Sequence, residues 1–130
     1  MKLSITDIET YLLEVKKAVE CGNYRIERNS RRSDNNALNH KYILSEAREK
    51  EILLSLTPYD FSEVRNNDHI GFEYELLYIF GKDVELLERY GFELKTISLY
   101  IKFNKLESGF TIVISFHEQK FPLTYYFTQT

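Results

Sequence analysis

The chain has 130 residues, a formal net charge of −3 and a single cysteine. That length suits one domain with a self-sufficient core, and a lone cysteine excludes an internal disulfide framework and fits a reducing compartment. The acidic balance excludes a uniformly basic nucleic-acid binder, and no apolar run approaches the ~20 residues that cross a bilayer.

Met1-Lys2-Leu3-Ser4 passes into polar sequence instead of a signal-type apolar run, so the expectation is one cytoplasmic domain over 1–130, away from membranes. Cys21 is expected to be an ordinary buried thiol. The charge is unevenly spread. Between Tyr24 and Lys41 the basic Arg25, Arg28, Arg31, Arg32 and Lys41 face only Glu27 and Asp34, whereas 68–93 is acidic. The first stretch reads either as a local anion-binding patch or as a solvated charged loop.

In chain order, Ile8, Leu12, Val15 and Val19 recur at helical spacing, and Thr6 with Glu9 has capping-box spacing. A helix over 6–21 follows, stopped by Gly22-Asn23. Tyr24 to Glu27 alternates as a short strand. The Asn, Ser, Asp and Arg of 29–39 predict a long, mobile loop. Ser45 is an N-cap for a second helix over 46–55, with Ile52, Leu53 and Leu56 on its apolar side, and Thr57-Pro58 ends it.

Beyond Pro58 the period changes to two. Phe72 to Phe80 and Thr96 to Phe103 read as strands, with 83–90 between them a short helix capped by Asp83 and closed by Gly91. A loop over 104–109 leads into a third strand, Phe110 to His117, and Thr124 to Thr128 could add an edge strand. The fold class is therefore α+β: N-terminal helices packed on a C-terminal antiparallel sheet.

Alternation also divides the strand faces. Leu99, Ile101 and Phe103 form an apolar face opposite Ser98, Tyr100 and Lys102. In the next strand Phe110, Ile112, Ile114 and Phe116 oppose Thr111, Val113, Ser115 and His117. Aligning the apolar faces places Tyr100, Lys102 and His117 together on the other surface. A phenol, an ammonium and an imidazole suit metal-independent RNA cleavage, in which a base activates the 2′-hydroxyl, cations stabilise the phosphorane and an acid protonates the 5′-oxygen. Glu118 and Lys120 follow at the strand end, and Tyr125 or Tyr126 could return toward it. Glu118 is a weaker candidate, since alternation turns it away from His117. The dispersed His40, His69 and His117, without a cysteine cluster or an HExxH motif, predict no metal site and no cofactor.

Several strings, in order, resemble the MqsR-type toxins of bacterial type II toxin–antitoxin systems, within the RelE-like ribonuclease group. They are Val15-Lys16-Lys17-Ala18-Val19 through Gly22-Asn23-Tyr24-Arg25-Ile26; Ile52-Leu53-Leu54-Ser55-Leu56-Thr57 with Asp60-Phe61; Tyr100-Ile101-Lys102; and Ile114-Ser115-Phe116-His117-Glu118. The resemblance implies a RelE-like sheet, endoribonuclease action on mRNA and a cognate antitoxin that masks the active surface. Tyr100 and Lys102 match the family's Tyr-x-Lys strand, and Arg25 matches its basic residue after the first helix. His117 and Glu63 stand where the family carries lysines, and 81–95 looks like an insertion. The expected site is catalytic His117, Tyr100 and Lys102 with substrate-binding Arg25, Arg28, Lys120 and Tyr125. The competing expectation is a non-catalytic binding or regulatory module that kept the fold and a partner surface.

Overall fold

The computed structural model describes residues 2–128, an α+β arrangement of three α-helices on one face and one edge of a curled mixed sheet. Helix α1 spans Ile5–Glu20. Its cap is Ser4, whose hydroxyl accepts from Asp7 N–H while the Asp7 carboxylate accepts from Ser4 N–H at 2.9 Å; the expected Thr6/Glu9 box lies inside the helix instead. The stripe Ile8, Leu12, Val15 and Val19 is buried as its spacing requires, joined by Tyr11 and Ala18. Gly22, at φ +73°, ends the helix in the left-handed conformation that glycine adopts without steric cost. Cys21 falls off the stripe at the C-cap and is exposed, which corrects the buried-thiol expectation.

Strand β1 is Tyr24–Ile26 and runs parallel to the later strand β6, Thr111–Glu118. The sheet is therefore mixed, not purely antiparallel. Where a loop was expected over 29–39, Ser33–Lys41 forms helix α2. The helix is polar all round and buries only Asn35 and Leu38, so it carries no amphipathic signature to read. Tertiary contact decides it: α2 lies along β6, and the Asn35 side chain bonds that strand directly.

After the two-residue strand β2, Tyr42–Ile43, Ser45 caps helix α3, Glu46–Leu54, by accepting from Arg48 N–H at 3.1 Å. A 3-10 turn at Pro58–Asp60 leads into strand β3, Phe61–Asn66. Strand β4 then runs unbroken through Leu76–Glu88 and strand β5 through Leu94–Lys105, paired from Leu77↔Asn104 to Leu87↔Leu94.

Two expectations change here. The helix expected over 83–90 is strand, because Val84 and Leu86 continue the period-two core face and pairing along β5 satisfies the backbone. The strand expected from Phe72 starts only at Leu76, because 67–75 is a hydrogen-bonded turn that reconnects β3 to β4. Residues 119–128 form no strand either; they cross to β3, where Ser62 Oγ donates to Thr124 O and Tyr126 N–H to Phe61 O.

Sheet order is β1-β6-β5-β4-β2, with β3 beside the first half of β4. One face packs on α1 and α3: Phe80, Ile101 and Phe116 sit in one cross-strand row, Tyr78, Phe103 and Val113 in the next. Each such buried apolar side chain contributes about 1.5–3 kcal/mol relative to exposure. The opposite face holds the candidate site, with the start of α2 at its β6 edge, where Asp34 pairs with Lys120.

Candidate functional site

The outer face follows from register. Tyr100 lies between Gly81 on β4 and His117 on β6; Lys102 lies between Ile79 and Ser115; Asn104 lies between Leu77 and Ile112. The Tyr100 and His117 rings stack, 5.1 Å between centroids and 9° from parallel. The expected convergence of Tyr100, Lys102 and His117 on one face is present. Thr111 and Val113, expected to share it, instead point into the core, because the register shifts by one residue beside Lys102/Phe103 and leaves Ile114 as the extra residue.

Local contacts set the chemistry of each group. His117 Nδ1 lies 2.8 Å from Glu118 O, and a carbonyl only accepts, so Nδ1 carries a proton and donates it. In the neutral ring Nε2 then holds the lone pair, the form a general base requires. Burial, opposed by Arg65 and aided by Glu63, pushes the Tyr100 phenol above its ordinary range, so it stays a hydroxyl donor. Burial, reinforced by Arg32 and Arg65 and opposed by Asp68, holds the Lys102 ammonium below its ordinary range. Arg65 is exposed and paired with Glu63, while Lys102 is the partly buried cation of this group. An anion arriving there would relieve both the desolvation and the mutual repulsion.

Tyr125 reaches this face through a glycine. A Cβ on Gly81 would collide with Tyr125 Oη and lie 2.8 Å from Leu123 and 2.9 Å from Gln119, so a larger residue would have to displace these side-chain ends where the segment after β6 crosses. Gln119 anchors the crossing by donating from its N–H to Ser98 O at 2.8 Å and from Nε2 to Leu99 O at 3.0 Å.

The remaining predicted residues lie further away. Arg25 is on the outer face, opposite Ile112, bonded to Glu27 at 3.1 Å and 5.8 Å from the Phe110 ring centroid. Lys120 pairs with Asp34 at 2.8 Å; His117 and Lys120 both act on Asp34, whose carboxyl lies below its ordinary range. Arg28 leaves the group entirely: it pairs with the buried Glu49 of α3, across the sheet from His117. Glu118 shares a row with Leu99 and pairs with Lys41 at 3.8 Å.

Sequence reading missed Arg65 and singled out Glu63 only as standing in place of a family lysine; on β3 Glu63 lies in the row of Ile79 and Lys102, and Arg65 in the row of Leu77 and Asn104. The signal was present, since Glu63 and Arg65 flank the half-buried Val64 at period two. Among the described residues no group of three or more His, Cys, Asp or Glu side chains is placed to hold a metal ion, and no helix is long and apolar enough to cross a membrane. No protein-family model matches the chain, and neither a curated protein nor a solved structure matches it.

Proposed function

We propose that the protein is a metal-independent endoribonuclease acting on mRNA, the toxin of a type II toxin–antitoxin pair with an MqsR-type, RelE-like sheet. The observation that carries this reading is the stacked Tyr100–His117 pair with Lys102 in the adjacent row of the same face. The strings resembling MqsR toxins at 100–102 and 114–118 belong to the two paired strands that bear this group.

In this reading Lys102, with Arg65 and Arg32 nearby, binds the scissile phosphate. His117 Nε2 removes the 2′-hydroxyl proton as the 2′-oxygen bonds to phosphorus, and the cations stabilise the phosphorane. The P–O5′ bond breaks, and Tyr100 supplies the hydroxyl proton to the departing oxygen. The products are a 2′,3′-cyclic phosphate and a 5′-hydroxyl end. Tyr125 lines the same face, and Arg25 extends it along the strand. A cognate antitoxin would neutralise the protein by covering this surface.

A second reading rests on Glu63 and Asp68, acids set among the cations. They suit a non-catalytic module that binds a partner of mixed charge. Cleavage of single-stranded RNA in the presence of a chelator, with the product ends identified, separates the two. His117→Ala is expected to lower the rate by about 10²–10⁴-fold while the fold is retained. No cleavage by wild type favours the binding module, and equal cleavage by wild type and His117→Ala rejects the assignment of His117.

A further inference from the structure

Strand β3 is an edge. It pairs with β4 on one side, and among the described residues no strand pairs with its other side. Asn67 N–H donates to Glu75 O at 2.9 Å, one step beyond the Asn66↔Leu76 pair. Opposite residues of an antiparallel ladder alternate between exchanging hydrogen bonds and exchanging none. Arg65 and Glu63 therefore bond β4, while Val64 and Asn66 turn their N–H and C=O groups to the open side. Toward the start of the strand that side is closed, since Tyr126 N–H donates to Phe61 O at 3.0 Å and Ser62 Oγ to Thr124 O at 2.7 Å. The open template is the short stretch 63–66.

Its side chains are complementary to themselves. Glu63 and Arg65 share the outer face and pair with each other along the strand, and Val64 packs against the core from the other face. A second copy laid antiparallel along this edge has few registers open to it. Slipping by one residue would set outer-face side chains opposite core-face ones. A two-fold axis at Glu63 or at Arg65 sets like charges opposite each other, which is destabilising. An axis at Asn66 would need the turn that follows to be extended. An axis at Val64 meets none of these obstacles: each Glu63 faces the Arg65 of the other copy, and the outward backbone groups of the two Val64 residues bond one another.

The existing Glu63–Arg65 pair does not compete with this. A carboxylate accepts several hydrogen bonds and a guanidinium donates five, so the pairs within each copy and those between copies close into one ring of alternating charge. A foreign strand would have to carry the same Glu-x-Arg pattern to match the edge, and a second copy carries it by identity.

We propose that the protein forms a two-fold dimer by pairing β3 with β3 of a second copy about Val64, joining two sheets into one. The outer-face row Lys102–Ile79–Glu63 then continues into Arg65, Leu77 and Asn104 of the second copy. The antiparallel direction also brings the end of one β3 to the start of the other, so the turn after Asn66, with Ile70 91% exposed, gains the crossing segment at Thr124 of the second copy as a neighbour. The dimer stands whether or not the outer face cleaves RNA.

Sedimentation equilibrium of the full chain over a concentration series reads the dissociation constant. Glu63→Arg leaves two cations on each edge and Arg65→Glu two carboxylates. Each variant alone should dimerise about tenfold or more weakly than wild type, because both cross-strand contacts become repulsive. Mixed in equal amounts, the two variants should pair with each other as tightly as wild type, since every Arg then faces a Glu. Unchanged circular dichroism of each variant confirms the fold. Wild type that stays monomeric at roughly 1 mM overturns the dimer and leaves the charges as a guard against edge pairing, the result also expected if another protein supplies the strand. A dimer that neither substitution weakens overturns it as well, because another surface then holds the copies together. So does weakening in both variants without recovery in the mixture.

Discussion

Replacing Asn35 by alanine tests how β6 is held in place. Strand β1 ends at Ile26, opposite Val113, and Glu27 N–H makes the last backbone bond to that edge, to Val113 O at 3.0 Å. Beyond it Ile114 O and Phe116 N–H would be bare on a buried strand edge. The Asn35 amide takes both, its Nδ2 donating to Ile114 O at 2.9 Å and its Oδ1 accepting from Phe116 N–H at 2.8 Å; Nδ2 also donates to Glu27 O at 2.9 Å. The side chain thus substitutes for one peptide unit of a neighbouring strand, at 2% exposure.

Alanine leaves Ile114 O and Phe116 N–H unpaired on a buried edge at about 1–3 kcal/mol each, so the loss should be roughly 3 kcal/mol. That is a large part of the ~5–15 kcal/mol that keeps a domain folded, and it corresponds to a fall of roughly 10 °C in melting temperature. Urea unfolding of wild type and Asn35→Ala at one pH measures it, with an unchanged denaturant slope as the check on comparable states. Asn35→Asp should be at least as damaging at neutral pH, since it aims a carboxylate at two carbonyl oxygens, and its deficit against wild type should narrow as acid protonates it. A loss below about 1 kcal/mol for alanine would refute the peptide-unit account.

Other perturbations have expected signs. Tyr11 Oη is buried without a hydrogen-bond partner among the described residues, so Tyr11→Phe should stabilise by about 1 kcal/mol in thermal or urea unfolding. Burial pushes the Tyr11 phenol far above its ordinary range: its contribution is intact below about pH 10, where folded and unfolded chains both hold the proton, and is lost above it as the unfolded chain ionises first, so Tyr11→Phe should also flatten alkaline unfolding. Phe92 sits at φ +60° in the β4–β5 turn with its ring 73% exposed, so Phe92→Asn should stabilise by about 0.5–1 kcal/mol, and a loss of stability would show that the ring packs. Arg28→Ala should destabilise by roughly 2 kcal/mol, by stranding the Glu49 carboxylate, with RNA cleavage per folded molecule unchanged; Lys102→Ala should show the converse, and a cleavage defect specific to Arg28 would place it in the site after all.

Legibility in the sequence followed amphipathic contrast. Helix α1 and the core rows of β5 could be read because one face of each is apolar and buried, and periodicity reports that contrast directly. Helix α2 could not, because its tertiary role rests on a single amide, and a polar segment that satisfies a strand edge has the composition of a loop. The distal half of β4 was misread for a related reason: Asp83 and Gly91 mimic a helix cap and stop, while pairing with β5 leaves Val84 and Leu86 on the core face as the only strand signal. Arg28 was grouped with Arg25 by composition, yet the two lie three residues apart along a chain that leaves the sheet after Ile26. They end on opposite sides of it.

The face that carries Tyr100 and His117 depends on one residue that alternation does not reveal. From the turn inward, Lys105 pairs with Thr111, Asn104 with Ile112 and Phe103 with Val113. Continued without interruption, that register would set Phe116 opposite Tyr100 on the outer face and send His117 to the core row opposite Leu99. Ile114 is the extra residue. Past it Lys102 meets Ser115, Ile101 meets Phe116 and Tyr100 meets His117, because a slip of one residue exchanges the two faces of a strand. The same step returns Phe116 to the core, so packing and site geometry are satisfied by one irregularity. The Asn35 amide bonds Ile114 O and Phe116 N–H, the backbone groups that bracket the step. Loss of Asn35 should therefore weaken the fold at the point that orients His117, and the residual folded fraction of Asn35→Ala should cleave RNA more slowly than wild type. Folded Asn35→Ala with wild-type cleavage would show that core packing of Val113 and Phe116 holds the step by itself.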